Sequence, residues 1–110
     1  MNIELERRMP FSLEAEQSVL GAVLINPAVL DTLTGMIYSE DFYLEEHRRI
    51  YSAMQGMFLR SKSIDVVTLI DELVREGVYD EAGGKEYIRL IVDLVPTAAN
   101  AKDYAQIVRD

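Results

Sequence analysis

"DLVPTAANAKDYAQIV", residues 93–108, holds a helix stop, a corner and a helix start in one short passage. Pro96 has no N–H and disfavours helical backbone at Val95, so the apolar run before it ends there. Thr97 and Asn100 are both suited to cap a new start. Ala101, Tyr104, Ala105 and Val108 then continue in helical phase. The residues between the two runs are small, which lets the flanking helices approach closely. The passage therefore reads as a helix–helix corner, and it sets the expectation for the rest of the chain: helices packed on helices.

The same grammar runs upstream. Ser12 is a good N-cap, and Glu14 and Glu16 favour the positive end of a helix dipole. Leu13, Val19, Leu20, Val23 and Leu24 form the stripe of a first helix. Gly21 in its middle costs about 1 kcal/mol relative to alanine, and close helix–helix approach is the structural reason to keep it there. Asn26, Pro27 and Gly35 bracket a short second helix. Phe42 and Tyr43 in the connection that follows are expected to plug the core. The longest periodic run carries His47, Ile50, Tyr51, Met54, Met57 and Phe58 at steps of three and four. Asp65 caps a fourth helix with Val66, Leu69, Ile70, Leu73 and Val74 on its stripe, and Gly77 stops it. "VYDEAGG" reads as a loop, with Gly83 and Gly84 as turn residues. A fifth helix from Lys85 is expected to turn Tyr87, Leu90, Ile91, Leu94 and Val95 inward. No strand-like alternation of useful length and no internal repeat appear. The expectation is an all-α bundle of about six short helices over residues 12–110, preceded by a flexible segment at 1–11. The last helix is still in phase at Asp110, as expected of a longer chain cut before its next element.

Composition narrows the function. The chain is 49% hydrophobic and 27% charged, a globular balance. It has no cysteine, which excludes disulfide scaffolds and thiolate metal sites. No apolar run approaches the roughly 18 residues of a membrane span, and the N-terminus lacks a signal-peptide core. The net charge is −8, from 19 acidic and 11 basic residues. Phosphate binding needs a basic face, and only Arg48, Arg49, Arg60 and Lys62 offer one. The favoured reading of those four is a solvated helix face.

Catalytic signatures are absent. The sequence has no phosphate loop, no GxGxxG and no GxSxG elbow. His47 is the single histidine and lies on an apolar stripe, without a second nitrogen ligand or a paired nucleophile. It reads as a core-edge histidine hydrogen-bonded to a carboxylate or backbone group. Glu45 and Glu46 are sequence neighbours, and neighbours on a helix do not face each other. Tyr87, beside the glycine pair, is open to two readings, core plug or interface anchor. No catalytic, cofactor or metal residue is expected in this chain. The residues alone describe an acidic helical docking or oligomerisation module.

A resemblance goes further. "EAEQSVLGAVL" (14–24), "DFY" (41–43), "HRRIYSAM" (47–54), "IDVVTLIDEL" (64–73), "GGKEYI" (83–88) and "VPTAANAKDYAQIV" (95–108) occur in an order and spacing that resembles the N-terminal domain of bacterial replicative DNA helicases of the DnaB family. The resemblance spans residues 8–110. It implies the head of a two-part subunit, followed in the family by a helical hairpin, a linker and an ATPase domain that carries ATP and Mg. It implies dimer pairs within a hexameric ring, docking of the primase C-terminal domain, loader proteins in some members, little direct DNA contact by this part, and a bacterial cytoplasmic setting. Glu14 and Tyr87 match family positions in type and context and become the candidate primase contacts. His47 matches a family histidine and reads as structural. The alternative is a stand-alone helical DNA-binding or regulatory module using the Arg48/Arg49 face.

Overall fold

Ser12 sets the first helix. Its hydroxyl accepts a hydrogen bond from the Ala15 backbone N–H at 3.1 Å and opens α1, Leu13–Ile25, in a computed structural model that describes residues 12–110. The segment expected to be flexible, 1–11, lies outside the described residues. Asn26 closes α1, and its side chain accepts from the Ala28 N–H at 3.3 Å. That bond starts a 3₁₀ turn, Pro27–Val29, which leads into the short helix α2, Leu30–Leu33. A second 3₁₀ turn, Ser39–Asp41, precedes α3, Glu45–Leu59. Asp65 and Thr68 form a reciprocal capping box, 2.8 and 2.9 Å, at the start of α4, Val66–Arg75. Asp80 accepts from the Gly83 N–H at 2.7 Å and opens α5, Glu81–Leu94. The final helix is α6, Ala101–Arg109. The described residues hold six α-helices and no strand, so the all-α expectation stands.

α1 is the central element. It packs against α6, α5 and α3, while α4 packs against both α5 and α3. Val19, Leu20 and Val23 of α1 meet Ile50, Tyr51 and Met54 of α3, Leu69 and Leu73 of α4, and Ile88 and Ile91 of α5 in one buried cluster. Met57 joins this cluster too, so the methionines of α3 are core. The opening corner behaves as read. Val95 is extended at φ −117° and ψ 110°, which ends α5 one residue before Pro96. The Thr97 hydroxyl then accepts from the Ala99 N–H at 3.1 Å and tightens the turn. Asn100 occupies the N-cap position of α6 without a side-chain capping bond.

Two chain reversals use left-handed backbone. Gly77 ends α4 at φ 75°, the conformation that favours glycine. Ser61 takes the same role after α3 at φ 58°, where a side chain is strained.

Three expectations need correction. The glycine pair is not in a loop, because α5 begins at Glu81 and places Gly83 and Gly84 in its first turn. Asp80 is the cap that starts the helix early, and a Cβ on Gly83 would sit 2.9 Å from its capping oxygen, Asp80 Oδ1. Leu90 and Leu94 do not face in; they are 45% and 54% exposed. α5 lies at the edge of the bundle and buries only the face carrying Gly84, Ile88 and Ile91. Its apolar stripe is wider than its contact. Tyr43 is 52% exposed, so Phe42 alone plugs the core from that connection.

Gly21 explains the seating of α5. A Cβ there would lie 2.5 Å from Val95 Cγ2 and 3.1 Å from the Ile91 carbonyl oxygen. The missing side chain lets the two helices meet at backbone distance. Gly21→Ala should therefore lower stability by about 1–3 kcal/mol through overpacking. That outcome opposes the gain of about 1 kcal/mol that alanine brings to an unhindered helix. Urea unfolding of the two proteins measures the difference, and an increase in stability would contradict the close-approach account.

Candidate functional site

The polar centre of the molecule is built where α1, α3 and α5 begin. Glu16 is in the first turn of α1, and its side chain is buried. Its Oε2 accepts from the Tyr43 backbone N–H at 2.6 Å, and its Oε1 accepts from the Leu44 N–H at 3.5 Å. Leu44 is the N-cap residue of α3 and has no side-chain cap of its own. Glu16 therefore supplies, from another helix, an anion at the start of α3.

His47 continues the chain of bonds. It is fully buried, and its Nδ1 lies 2.7 Å from Glu16 Oε1. Its Nε2 lies 2.5 Å from the Tyr87 hydroxyl. The carboxylate accepts from the Nδ1 N–H, and with the ring proton placed there Nε2 accepts from the tyrosine hydroxyl. Gln17 Nε2 donates to the same hydroxyl at 3.3 Å. The Tyr87 ring stacks near the imidazole, with centroids 5.8 Å apart, and its centroid lies 6.1 Å from that of the tilted Tyr79 ring. Tyr79 in turn donates to Glu46 at 2.6 Å. Phe42 covers the imidazole edge-on at 6.4 Å. Among the described residues, no buried side-chain polar atom lacks a partner.

Carboxylate, imidazole and hydroxyl in this order share the connectivity of a hydrolytic triad. The resemblance stops there. The imidazole has no exposed surface, and the hydroxyl proton is directed at it from a half-buried ring. The buried imidazole is closed to a substrate, and a general base needs access to one. The arrangement acts as a clasp: it ties α1, the start of α3 and the first half of α5 together. His47 is the carboxylate-bonded structural histidine expected from the sequence.

The clasp also locates the two sequence-derived candidates. Tyr87 is half-buried, with its hydroxyl engaged. Glu14 is exposed, in the first turn of α1. Gln17 follows Glu14 by three residues, so both lie on one helix face. Since Gln17 bonds Tyr87, that face leads directly from Glu14 to Tyr87. Sequence reading missed Glu16 and Gln17. A signal existed for Glu16: it falls in phase with Val19, Leu20 and Val23, and a carboxylate on a buried stripe demands a partner.

The four cations singled out as a possible phosphate face are all engaged. Arg48 donates to the Phe42 carbonyl at 2.6 Å and lies 3.7 Å from Glu45. Arg49 donates to the Glu76 carbonyl at 3.5 Å. Arg60 and Lys62 lie 3.4 and 3.8 Å from the buried Glu72, which also meets Arg75 at 3.6 Å. A hydrogen bond from the Glu76 side chain, together with those cations, holds the Glu72 carboxyl below the usual range, and the same bond raises Glu76. These side chains join the helices internally, and they do not gather into a free basic surface. Among the described residues no group of histidines and carboxylates is arranged to hold a metal ion, and no helix is long and apolar enough to cross a membrane.

Comparison with known proteins now places this geometry. Residues 8–110 match the family described as the DnaB-like helicase N terminal domain. The chain belongs to that family. It is 43% identical over 105 residues to the replicative DNA helicase DnaB of Geobacillus stearothermophilus, covering 96% of this chain and 23% of that protein. It is 41% identical to the Pasteurella multocida DnaB over 101 residues, covering 92% of this chain and 22% of that one. The chain thus spans less than a quarter of the length of these relatives. The crystal structure of the N-terminal domain of DnaB helicase from Mycobacterium tuberculosis superposes with a TM-score of 0.86 at 37% identity, covering 93% of this chain and 71% of that one. The chain thus has the family and the fold of a DnaB-like helicase N-terminal domain.

Two predictions follow from the clasp. Removing His47 leaves the Glu16 carboxylate buried without its ring partner, so His47→Ala should cost about 3 kcal/mol or more. Tyr87→Phe keeps the ring and loses one hydroxyl, which should cost only about 1 kcal/mol. Comparable losses from the two variants, read by chemical denaturation, would contradict the central place given to His47.

Alkaline pH tests the buried tyrosines. Burial, reinforced by Asp41, pushes the Tyr51 hydroxyl up to about 12. Burial also raises Tyr79, helped by its bond to Glu46. Tyr87 is raised by burial too, against the opposing bond from Gln17. The folded state therefore keeps protons that the unfolded chain releases near pH 10. Stability should be complete below about pH 10 and fall as pH climbs toward 12, by up to roughly 1.4 kcal/mol per pH unit for Tyr51 alone. Urea midpoints on either side of pH 10 check this, and a flat profile would be incompatible with buried, neutral tyrosines.

Proposed function

We propose that this domain is the non-catalytic head of a replicative helicase subunit, working in ring assembly and in docking primase at the replication fork. Family membership supports the setting. ATP hydrolysis, Mg binding and strand encirclement belong, in this reading, to the remaining three quarters of the relatives' length. Partner subunits, the primase C-terminal domain and a loader are the interacting proteins, in the bacterial cytoplasm.

The observation that carries the docking reading is the continuity of Glu14, Gln17 and Tyr87. A half-buried aromatic ring locked by two hydrogen bonds loses little freedom when a partner covers it. Tyrosines of that kind are frequent interface anchors. Glu14 has no hydrogen-bond or ion-pair partner among the described residues, and it adds a carboxylate at the rim of the same face. The acidic excess of the chain favours a basic partner surface.

Titration calorimetry with the matching primase C-terminal domain tests this. Residues 1–110 should bind, Glu14→Lys should weaken binding about tenfold or more through charge reversal, and Tyr87→Ala should weaken it further. Because Tyr87 is also part of the clasp, Tyr87→Phe serves as the folded control: it should retain most of the affinity. Wild-type affinity in both Glu14→Lys and Tyr87→Ala would remove these residues from the interface. Binding seen only with a longer chain would move the site elsewhere.

A further inference from the structure

A second surface lies away from the clasp, between α4 and α5. Val67, Ile70 and Val74 follow one another at helical steps along α4. Val67 is 76% exposed and Val74 39%, with Ile70 forming the floor between them. They line a groove of about 310 Å³ whose far wall is Lys85 and Arg89 of α5. The stripe extends over seven residues, about 10 Å along the helix axis. That is the length occupied by residues i, i+3 or i+4, and i+7 of a docked helix.

The charges of the groove are unequal in a useful way. Asp71 is paired with Arg75 at 2.7 Å, and Glu81 with Lys85 at 3.2 Å. Arg89 has no ion pair among the described residues, although the chain as a whole is strongly acidic. An apolar stripe with one uncompensated guanidinium on its wall is complementary to an apolar stripe with a carboxylate beside it. We propose that the α4–α5 groove is a docking site for an amphipathic helix of another protein, whose apolar residues cover Val67, Ile70 and Val74 and whose acidic residue pairs with Arg89. The site uses no residue of the Glu14–Tyr87 face, so it stands or falls separately from the docking of primase.

The test uses two synthetic helical peptides, each with leucines at i, i+3 and i+7. One carries glutamates beside the leucines and its twin carries lysines there. Each is titrated into isotope-labelled chain and followed by amide chemical shifts. The glutamate peptide should perturb Val66–Val74 and Lys85–Arg89 and should bind tighter than its twin by about fivefold, the scale of one exposed ion pair. Arg89→Glu should invert that preference, and Arg89→Gln should abolish it. Because Arg89 is exposed, neither substitution should disturb the fold, which circular dichroism verifies. Four results would overturn the proposal: no binding, shifts on another face, equal affinity for both peptides, or the same shifts on concentrating the chain alone. The last would make a second copy the occupant.

Discussion

The buried carboxylate of Glu16 is the constraint around which the domain is arranged. An ionised side chain inside a protein is tolerated only when hydrogen bonds replace its water. Glu16 finds those bonds on two elements distant in sequence, the Tyr43–Leu44 backbone and the His47 ring. Each bond restricts where α3 can begin relative to α1. The imidazole passes the restriction on to Tyr87, and hence to α5. Three helices that share no local sequence signal are thereby set in register by one polar chain. Apolar packing by itself tolerates many such registers, and buried polar contacts with one good geometry select among them.

The same polar chain shapes what the surface offers. The Tyr87 ring contacts both an imidazole and the Tyr79 ring, and its hydroxyl is bonded to both His47 and Gln17. At the other end of the contact, the absence of a side chain on Gly21 draws α5 onto α1 through Ile91 and Val95. That approach rotates Leu90 and Leu94 outward, and it leaves α4 free to present Val67 and Val74 beside α5. A domain of this construction has a stiff interior and several small apolar faces, a form suited to binding proteins.

Electrostatics points the same way. Seven of the chain's eleven basic residues are Arg48, Arg49, Arg60, Lys62, Arg75, Lys85 and Arg89, and all but Arg89 are bonded to an acidic side chain or a backbone carbonyl. Arg48, Arg49, Arg60 and Lys62 would have to give up those partners to meet a phosphate backbone. The buried Glu72 illustrates the arrangement: its surrounding cations tie the end of α3 to α4 and are consumed in doing so.

Much of this was legible in the order of residues, because local rules are local in cause. Ser12, Asn26, Asp65 and Gly77 cap or stop helices at the positions their chemistry demands, and Pro96 ends α5 because its neighbour cannot remain helical. Gly21 was readable as a close approach, since a glycine within a good helical stripe needs a reason. The family itself was readable from the ordered motifs. The glycine pair was misread because two glycines resemble a turn, whereas the cap at Asp80 puts them inside a helix. Leu90, Leu94 and Tyr43 were misread because periodicity reports which residues share a face; only the neighbours of a helix decide how much of that face is covered. The pairing of Glu16, His47 and Tyr87 lay beyond the sequence for the same reason. Their partners are 31 and 40 residues apart, and nothing local to any of them names the others. The sequence by itself determined where helices start, stop and turn their apolar sides. Tertiary packing decided which polar groups meet inside and which apolar groups remain outside, because both depend on distances that exist only once the helices are assembled.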